Sequence, residues 1–223
     1  MKTALVIGAS GLVGRQLIYQ ILSDDAYSKV IALVRKDLVL AHPKLAQMMV
    51  DFDKLSAIQD QLIADDVFCC IGTTKAKTPN QAAYIRIDNG IPLEIAAYTK
   101  AIGARQFLFV SSMGANEKSM VFYSRLKAQT ENDLKAIGFE SLQIIRPALL
   151  LGARKEFRLF EKIFQYLFKP LNLLMIGPLK AYKGIEAITV AKAMLNIAKQ
   201  KPLGVHVWSN DVLFNQAAST NKK

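Results

Sequence analysis

A short apolar run, Ala4-Leu5-Val6-Ile7, stops at Gly8, and an amphipathic pattern with Leu17, Ile18, Ile21 and Leu22 on one face starts a few residues later. Between them lies Gly8-Ala9-Ser10-Gly11-Leu12-Val13-Gly14. This heptapeptide constrains the fold more than any other stretch, because each glycine has a separate steric reason in a strand-turn-helix. The first allows a tight turn, the second a close backbone approach to a pyrophosphate, and the third close packing of helix on strand. The N–H groups and positive dipole end of the following helix then face the phosphates. Gly8, Ser10, Gly11, Leu12, Val13 and Gly14 are therefore expected to bind a dinucleotide.

The rest of the chain repeats that unit. Apolar runs at 30–34, 48–50, 67–71, 107–110 and 142–145 alternate with helical patterns at 12–22, 81–102 and 121–137. The second of these helices carries a break near Gly90 and Pro92, and Gly138 ends the third. The strands are continuously apolar rather than alternating, as in a parallel sheet covered on both faces. The succession predicts an α/β fold, a Rossmann-type doubly wound parallel sheet. After Pro147 the pattern loosens, with a helix over 185–199 and a late strand at 204–208. The expectation is one domain over 1–223, with 152–223 contributing a small C-terminal cap on the substrate side.

Composition narrows the partners without choosing one. Lys and Arg number 29 against 18 Asp and Glu, a net charge of +11 that favours anionic ligands. The basic residues are scattered and no nucleic-acid-binding signature accompanies them, so no nucleic acid is expected. The only cysteines, Cys69 and Cys70, are adjacent, and neighbours in a strand point to opposite faces; they read as buried core residues in a reducing compartment. With no Cys-x-x-Cys pair and two distant histidines, His42 and His206, no metal site is expected. The first apolar run is too short for a signal segment or a membrane span. A cytoplasmic location is the resulting expectation.

Ligands of open α/β sheets bind at the carboxyl ends of the strands. The second strand ends Val34-Arg35-Lys36, with no carboxylate before Asp37 to bond a ribose 2′-hydroxyl. Arg35 suits a 2′-phosphate instead, which favours NADP(H) and leaves NAD(H) as the alternative. Asp51 and Phe52 follow the third strand and are placed beside the adenine. Gly72, Thr73 and Thr74 follow the fourth and are placed beside the ribose.

The fifth strand ends Ser111-Ser112, and Tyr123-Ser124-Arg125-Leu126-Lys127 follows. Tyr and Lys at i and i+4 share a helix face, and an ammonium near a phenol stabilises phenolate. Ser112, Tyr123 and Lys127 are thus the catalytic candidates. Ser112 would hold a carbonyl oxygen, Tyr123 would move the proton, and Lys127 would tune Tyr123 and reach the nicotinamide ribose.

Taken together, these motifs resemble the short-chain dehydrogenase/reductase superfamily in its atypical branch, and within it the Tat-interacting-protein-like group and its bacterial relatives. The resemblance spans nearly the whole chain. It is carried by the glycine loop, Cys70-Ile71-Gly72-Thr73-Thr74, Ser111-Ser112-Met113-Gly114-Ala115, Tyr123-x-x-x-Lys127, Arg146-Pro147-Ala148-Leu149-Leu150-Leu151-Gly152 and Val190-Ala191-Lys192-Ala193-Met194. It implies an NADP(H)-binding oxidoreductase that reduces the carbonyl of a small molecule. Ser111 and Pro147, Ala148 and Leu149 would then join Tyr123 and Lys127 around the cofactor. Where many members carry a supporting Asn, this chain has Asp88-Asn89. Several atypical relatives bind NADP(H) yet act as regulators, so a redox sensor of a protein partner is the second reading. Nucleotide-sugar epimerisation is a third, against which the short C-terminal part argues.

Phe157, Phe160, Phe164, Leu167 and Phe168 recur at helical spacing among basic residues. This segment is expected to form a cap helix over the substrate pocket, or the contact through which a homodimer or protein partner docks. Lys169-Pro170 ends it and excludes a membrane span there.

Overall fold

The structure is a computed structural model that describes residues 1–151 and 183–219. The expected aromatic helix over 157–168 lies outside the described residues.

Strand β1 (Lys2–Ile7) leads through helix α1 (Leu12–Leu22) to β2 (Tyr27–Val34) and then β3 (Leu45–Met49). A 3-10 turn (Leu55–Gln61) precedes β4 (Asp66–Cys69). Helix α2 (Gln81–Ile85), a π turn (Arg86–Gly90) and helix α3 (Ile91–Ala101) connect β4 to β5 (Gln106–Val110). Helix α4 (Phe122–Ile137) connects β5 to β6 (Ser141–Arg146). Two short strands, β7 (Leu150–Leu151) and β8 (Ile185–Glu186), pair with each other, and helix α5 (Ala187–Gln200), strand β9 (Gly204–Ser209) and helix α6 (Asn210–Ala218) follow.

The main sheet has the order β3-β2-β1-β4-β5-β6-β9, and every pairing in it is parallel. Alternate residues of each strand feed two cores. Ala4, Val6, Val30, Ala32, Phe68 and Leu108 pack with α1 and α5 on one face. Leu5, Ile7, Ile31, Val67, Phe107, Phe109 and Ile144 pack with α3 and α4 on the other. Both faces are dry, which is why the strands read as unbroken apolar runs. The order reverses between β1 and β4, the kind of switch point at which open α/β sheets hold ligands.

Three features depart from the sequence reading. The break expected near Gly90 is a π turn that continues the helix into α3, and Pro92, the second residue of α3, supplies no N–H to that turn. Within 152–223, the described portion joins the main layers: β9 is the seventh strand and α5 packs on α1. Helix α6, which no apolar periodicity announced, begins after Ser209 and buries Leu213 and Ala217. Gly138 ends α4 in the left-handed region at φ 76°, as expected.

Candidate functional site

The glycine loop is built by backbone crowding. Gly8 turns at φ +79°, and a Cβ there would lie 2.6 Å from the carbonyl carbon and oxygen of Cys70. The Gly11 amide donates to the Gly8 carbonyl at 2.9 Å. A Cβ on Gly14 would lie 2.3 Å from that same Gly8 oxygen. The loop can close only without side chains at 8 and 14. Gly11 caps α1 with extended backbone and no side-chain acceptor, and the first turn holds no acid. The positive end of α1 is thus left for an external anion, and the residues fit a pyrophosphate. Ser10 is exposed, Leu12 half-buried and Val13 buried in the core, so Val13 offers only its backbone.

Arg35 is exposed at the end of β2. The Asp37 carboxylate accepts the Val39 amide at 2.5 Å and the Gln47 side chain at 3.3 Å, which ties it to the β2–β3 loop. A cavity of about 330 Å³ beside the glycine loop is lined by Ala9, Ser10, Arg15, Tyr19 and Asp37–Leu40. Arg35 is not among its lining residues; Arg15, which the sequence reading passed over, is. Its position in the second half of the first turn of α1 was the missed signal. Asp51 is exposed and accepts the Asp53 amide, while the Phe52 carbonyl accepts Arg86 at 2.5 Å.

Gly72 leads the loop after β4, and a Cβ there would meet Asp88 Oδ1 at 3.4 Å and Lys127 Nζ at 3.8 Å. The Thr73 amide donates to Asp88 Oδ2 at 2.8 Å, and Tyr84 donates to the Thr73 carbonyl at 3.1 Å. The Thr74 hydroxyl is buried with no hydrogen-bond partner. Helix α4 presents Tyr123, Lys127 and Glu131 at successive i+4 positions. Lys127 is 2% exposed, with Nζ 3.0 Å from Asp88 Oδ1, 4.8 Å from the Phe109 ring centroid and 5.9 Å from that of Tyr123. Burial works against its charge, but the Asp88 carboxylate, with Tyr123 and Cys69 nearby, holds its pKa above the ordinary lysine value. Tyr123 is 36% exposed and so open to a ligand. Ser112 is half-buried at the end of β5, its carbonyl accepting the Ala115 amide.

Ser111 behaves differently from its neighbour. Its buried hydroxyl donates to Glu131 Oε1 at 2.5 Å, and Arg146 grips Glu131 at 2.9 and 2.5 Å. This hydroxyl therefore holds strand ends together, and with the Ser111 amide donating to the Ile145 carbonyl at 2.8 Å, only the Ser111 carbonyl is left for a ligand. The Pro147 carbonyl accepts the Met113 amide at 3.0 Å, which joins the ends of β5 and β6. The Ala148 amide donates to Asn210 Oδ1 at 2.9 Å, and Asn210 Nδ2 donates to the Lys183 carbonyl at 2.8 Å. Asn210, 1% exposed, thereby fixes the segment that carries the half-exposed Leu149. Neither Asp88 nor Asn210 belongs to a local motif. Of the pair left open by the sequence, Asp88 reaches Lys127, whereas Asn89 bonds Thr130 and Asp133.

Comparisons with known proteins agree with this geometry. The NAD(P)H-binding family matches residues 8–158. Protein HTATIP2 of Rattus norvegicus is 33% identical over 199 residues, covering 87% of this chain and 80% of that protein. The mitochondrial protein FMP52 of Candida glabrata is 30% identical over 224 residues, covering 95% and 94%. Among solved structures, MoeE5 in complex with UDP-glucose and NAD superposes with a TM-score of 0.68 at 18% identity, covering 97% of this chain and 81% of that one. A UDP-glucose 4-epimerase of Thermotoga maritima gives 0.68 at 16%, covering 96% and 80%. At those identities the likeness shows the fold.

The expectation of a cytoplasmic location is corrected by the same relatives. The FMP52 proteins of Candida glabrata, Candida albicans and Debaryomyces hansenii are mitochondrial by name. Two free, adjacent cysteines are compatible with more than one compartment, so Cys69 and Cys70 never distinguished between them. Among the described residues, no helix is long and apolar enough to cross a membrane. By its sequence match, its relatives and its doubly wound sheet, the chain belongs to the NAD(P)H-binding family of atypical short-chain dehydrogenase/reductase type.

Proposed function

We propose that this protein reduces the carbonyl of a small molecule with NADPH. The observation that carries the reading is the Tyr123–Lys127 pair: an accessible phenol one helical turn from a buried, charged ammonium, beside the loop that follows β4. When bound, the nicotinamide supplies the hydride. Ser112 holds the carbonyl oxygen, Tyr123 donates the proton to it, and Lys127 holds the ribose and steadies the phenolate left behind. Pro147 to Leu149 shield the nicotinamide from water, with Asn210 keeping that segment in place. The basic residues at the adenosine end, Arg35 and Arg15, favour the 2′-phosphate of NADPH over the hydroxyl of NADH.

The test is a fluorescence titration with NADPH and NADH, followed by a carbonyl screen of wild type and Tyr123→Phe. Tighter NADPH binding, turnover of a carbonyl, and loss of that turnover in Tyr123→Phe with NADPH affinity nearly intact are expected. Normal turnover in the variant overturns the role of Tyr123.

A second reading, an NADP(H)-binding regulator without turnover, draws on one observation. Asp88 compensates the charge of Lys127, which weakens its pull on Tyr123. A protein partner captured differently with NADPH and NADP+, with no carbonyl turned over, would favour it.

A further inference from the structure

We propose that Asp88 is the positioning residue of this site: it keeps Lys127 charged inside an apolar shell and ties it to the backbone of the cofactor loop at Thr73. The inference rests on the reading of Lys127 as a cofactor ligand. Asp88 lies in the π turn Arg86–Gly90, whose extra residue per turn places Asp88 and Asn89 both in the interior. Such turns recur at functional sites because they re-aim side chains that a regular helix could not present together.

One carboxylate oxygen accepts the Thr73 amide at 2.8 Å, and the other lies 3.0 Å from Lys127 Nζ. The Asp88 carbonyl accepts the Thr130 hydroxyl from α4 at 3.2 Å, so the π turn is also fastened to the helix that carries Lys127. Around Nζ stand the Phe109 ring and the Val110 carbonyl from β5, Cys69 from β4 and Tyr123 from α4. Of these, Cys69 and Tyr123 are neutral when protonated. Asp88 is thus the group that balances the ammonium. Gly72 passes beside the pair, close enough that a Cβ there would lie in ordinary contact with both members.

The consequence is a cofactor site whose lysine stays charged well into alkaline pH. A buried lysine without its counter-charge titrates several units lower, within the working range of most enzymes. Asp88→Asn keeps an oxygen for the Thr73 amide but removes the charge, so it separates the two tasks of this residue.

The experiment compares wild type and Asp88→Asn by NADPH fluorescence titration, and by thermal melting of the cofactor-free protein, from about pH 5.5 to about pH 9.5. The expected result is that the affinity of the variant relative to wild type falls about tenfold or more as pH rises, with a midpoint inside that window. The cofactor-free variant should at the same time gain melting temperature relative to wild type as pH rises, because neutral Lys127 is what its interior tolerates. Parallel profiles in both measurements overturn the proposal, since a purely structural loss lowers the curves without changing their shape. If Asp88→Asn does not fold, the pair Asp88→Asn with Lys127→Met decides: recovery of a folded protein supports the charge pairing, and failure to recover overturns it. Wild type that binds no NADPH at any pH removes the cofactor reading of Lys127, and the cofactor-free melting curves then judge Asp88 separately.

Discussion

A Cβ on Gly14 would stand 2.3 Å from the carbonyl oxygen of Gly8, so the start of α1 and the first turn of the loop share one space. The neighbour is backbone, held by its own hydrogen bond to Gly11, and cannot move aside alone. Gly14→Ala should therefore push α1 off the loop, cost about 1–3 kcal/mol of stability and weaken NADPH binding at least tenfold. Denaturant unfolding and fluorescence titration check both. Unchanged affinity would show that the loop is not the phosphate cradle.

Two cations are candidates for the 2′-phosphate, and single substitutions separate them. Arg15 lines the cavity beside the loop, while Arg35 stands at the end of β2 outside its lining. The substitution that removes the phosphate contact should raise the NADPH dissociation constant about tenfold, the worth of one charge-assisted contact, and leave NADH unaffected. Arg15→Ala and Arg35→Ala are to be titrated with both nucleotides. Equal effects on NADPH and NADH from both variants would remove the basis for NADPH preference.

Glu131 is 1% exposed and gathers the Ser111 hydroxyl and the Arg146 guanidinium. Glu131→Gln leaves both donors poorly matched. Because Arg146 is 29% exposed in its side chain, water compensates part of the loss. About 2 kcal/mol of destabilisation is expected, together with slower turnover, because Ser112 adjoins Ser111. Chemical denaturation and steady-state kinetics measure the two effects.

Alkaline pH should destabilise the fold through Cys69. Burial pushes its thiol up to about 12. Its folded pKa is raised, so its contribution is intact below the ordinary thiol range and is lost as pH rises. From about pH 8.5 upward the unfolded chain releases this proton while the folded chain keeps it, at about 1.4 kcal/mol per pH unit. The Tyr27 phenol, buried and donating to Asp66, is pushed up as well and steepens the loss above about pH 10. Cys69→Ala should flatten the slope between about pH 8.5 and 10. An identical slope in the variant would assign the loss elsewhere.

The parts of this protein that the sequence determined are those where one short segment meets its own steric or periodic requirement. Gly8 and Gly14 announce the turn because no other residue type tolerates that crowding. The apolar runs announce a parallel sheet because both faces are covered, and Tyr123 with Lys127 share a helix face by spacing alone. What only tertiary structure decided depends on groups distant in the chain. Asp88 meets Lys127 from a π turn that the sequence marks only as a helix break near Gly90 and Pro92, and Ser111 is drawn to Glu131 and Arg146 while Ser112, its twin in sequence, is not. Arg15, which no sequence motif singled out, lines the cavity, and Arg35, the strand-end cation, does not. Residues 204–209 join the sheet beside β6 because Trp208 finds Gln143 and the core beneath it, a pairing made across about sixty intervening residues. Periodicity reports which face a residue takes; which partner waits there depends on how the layers close.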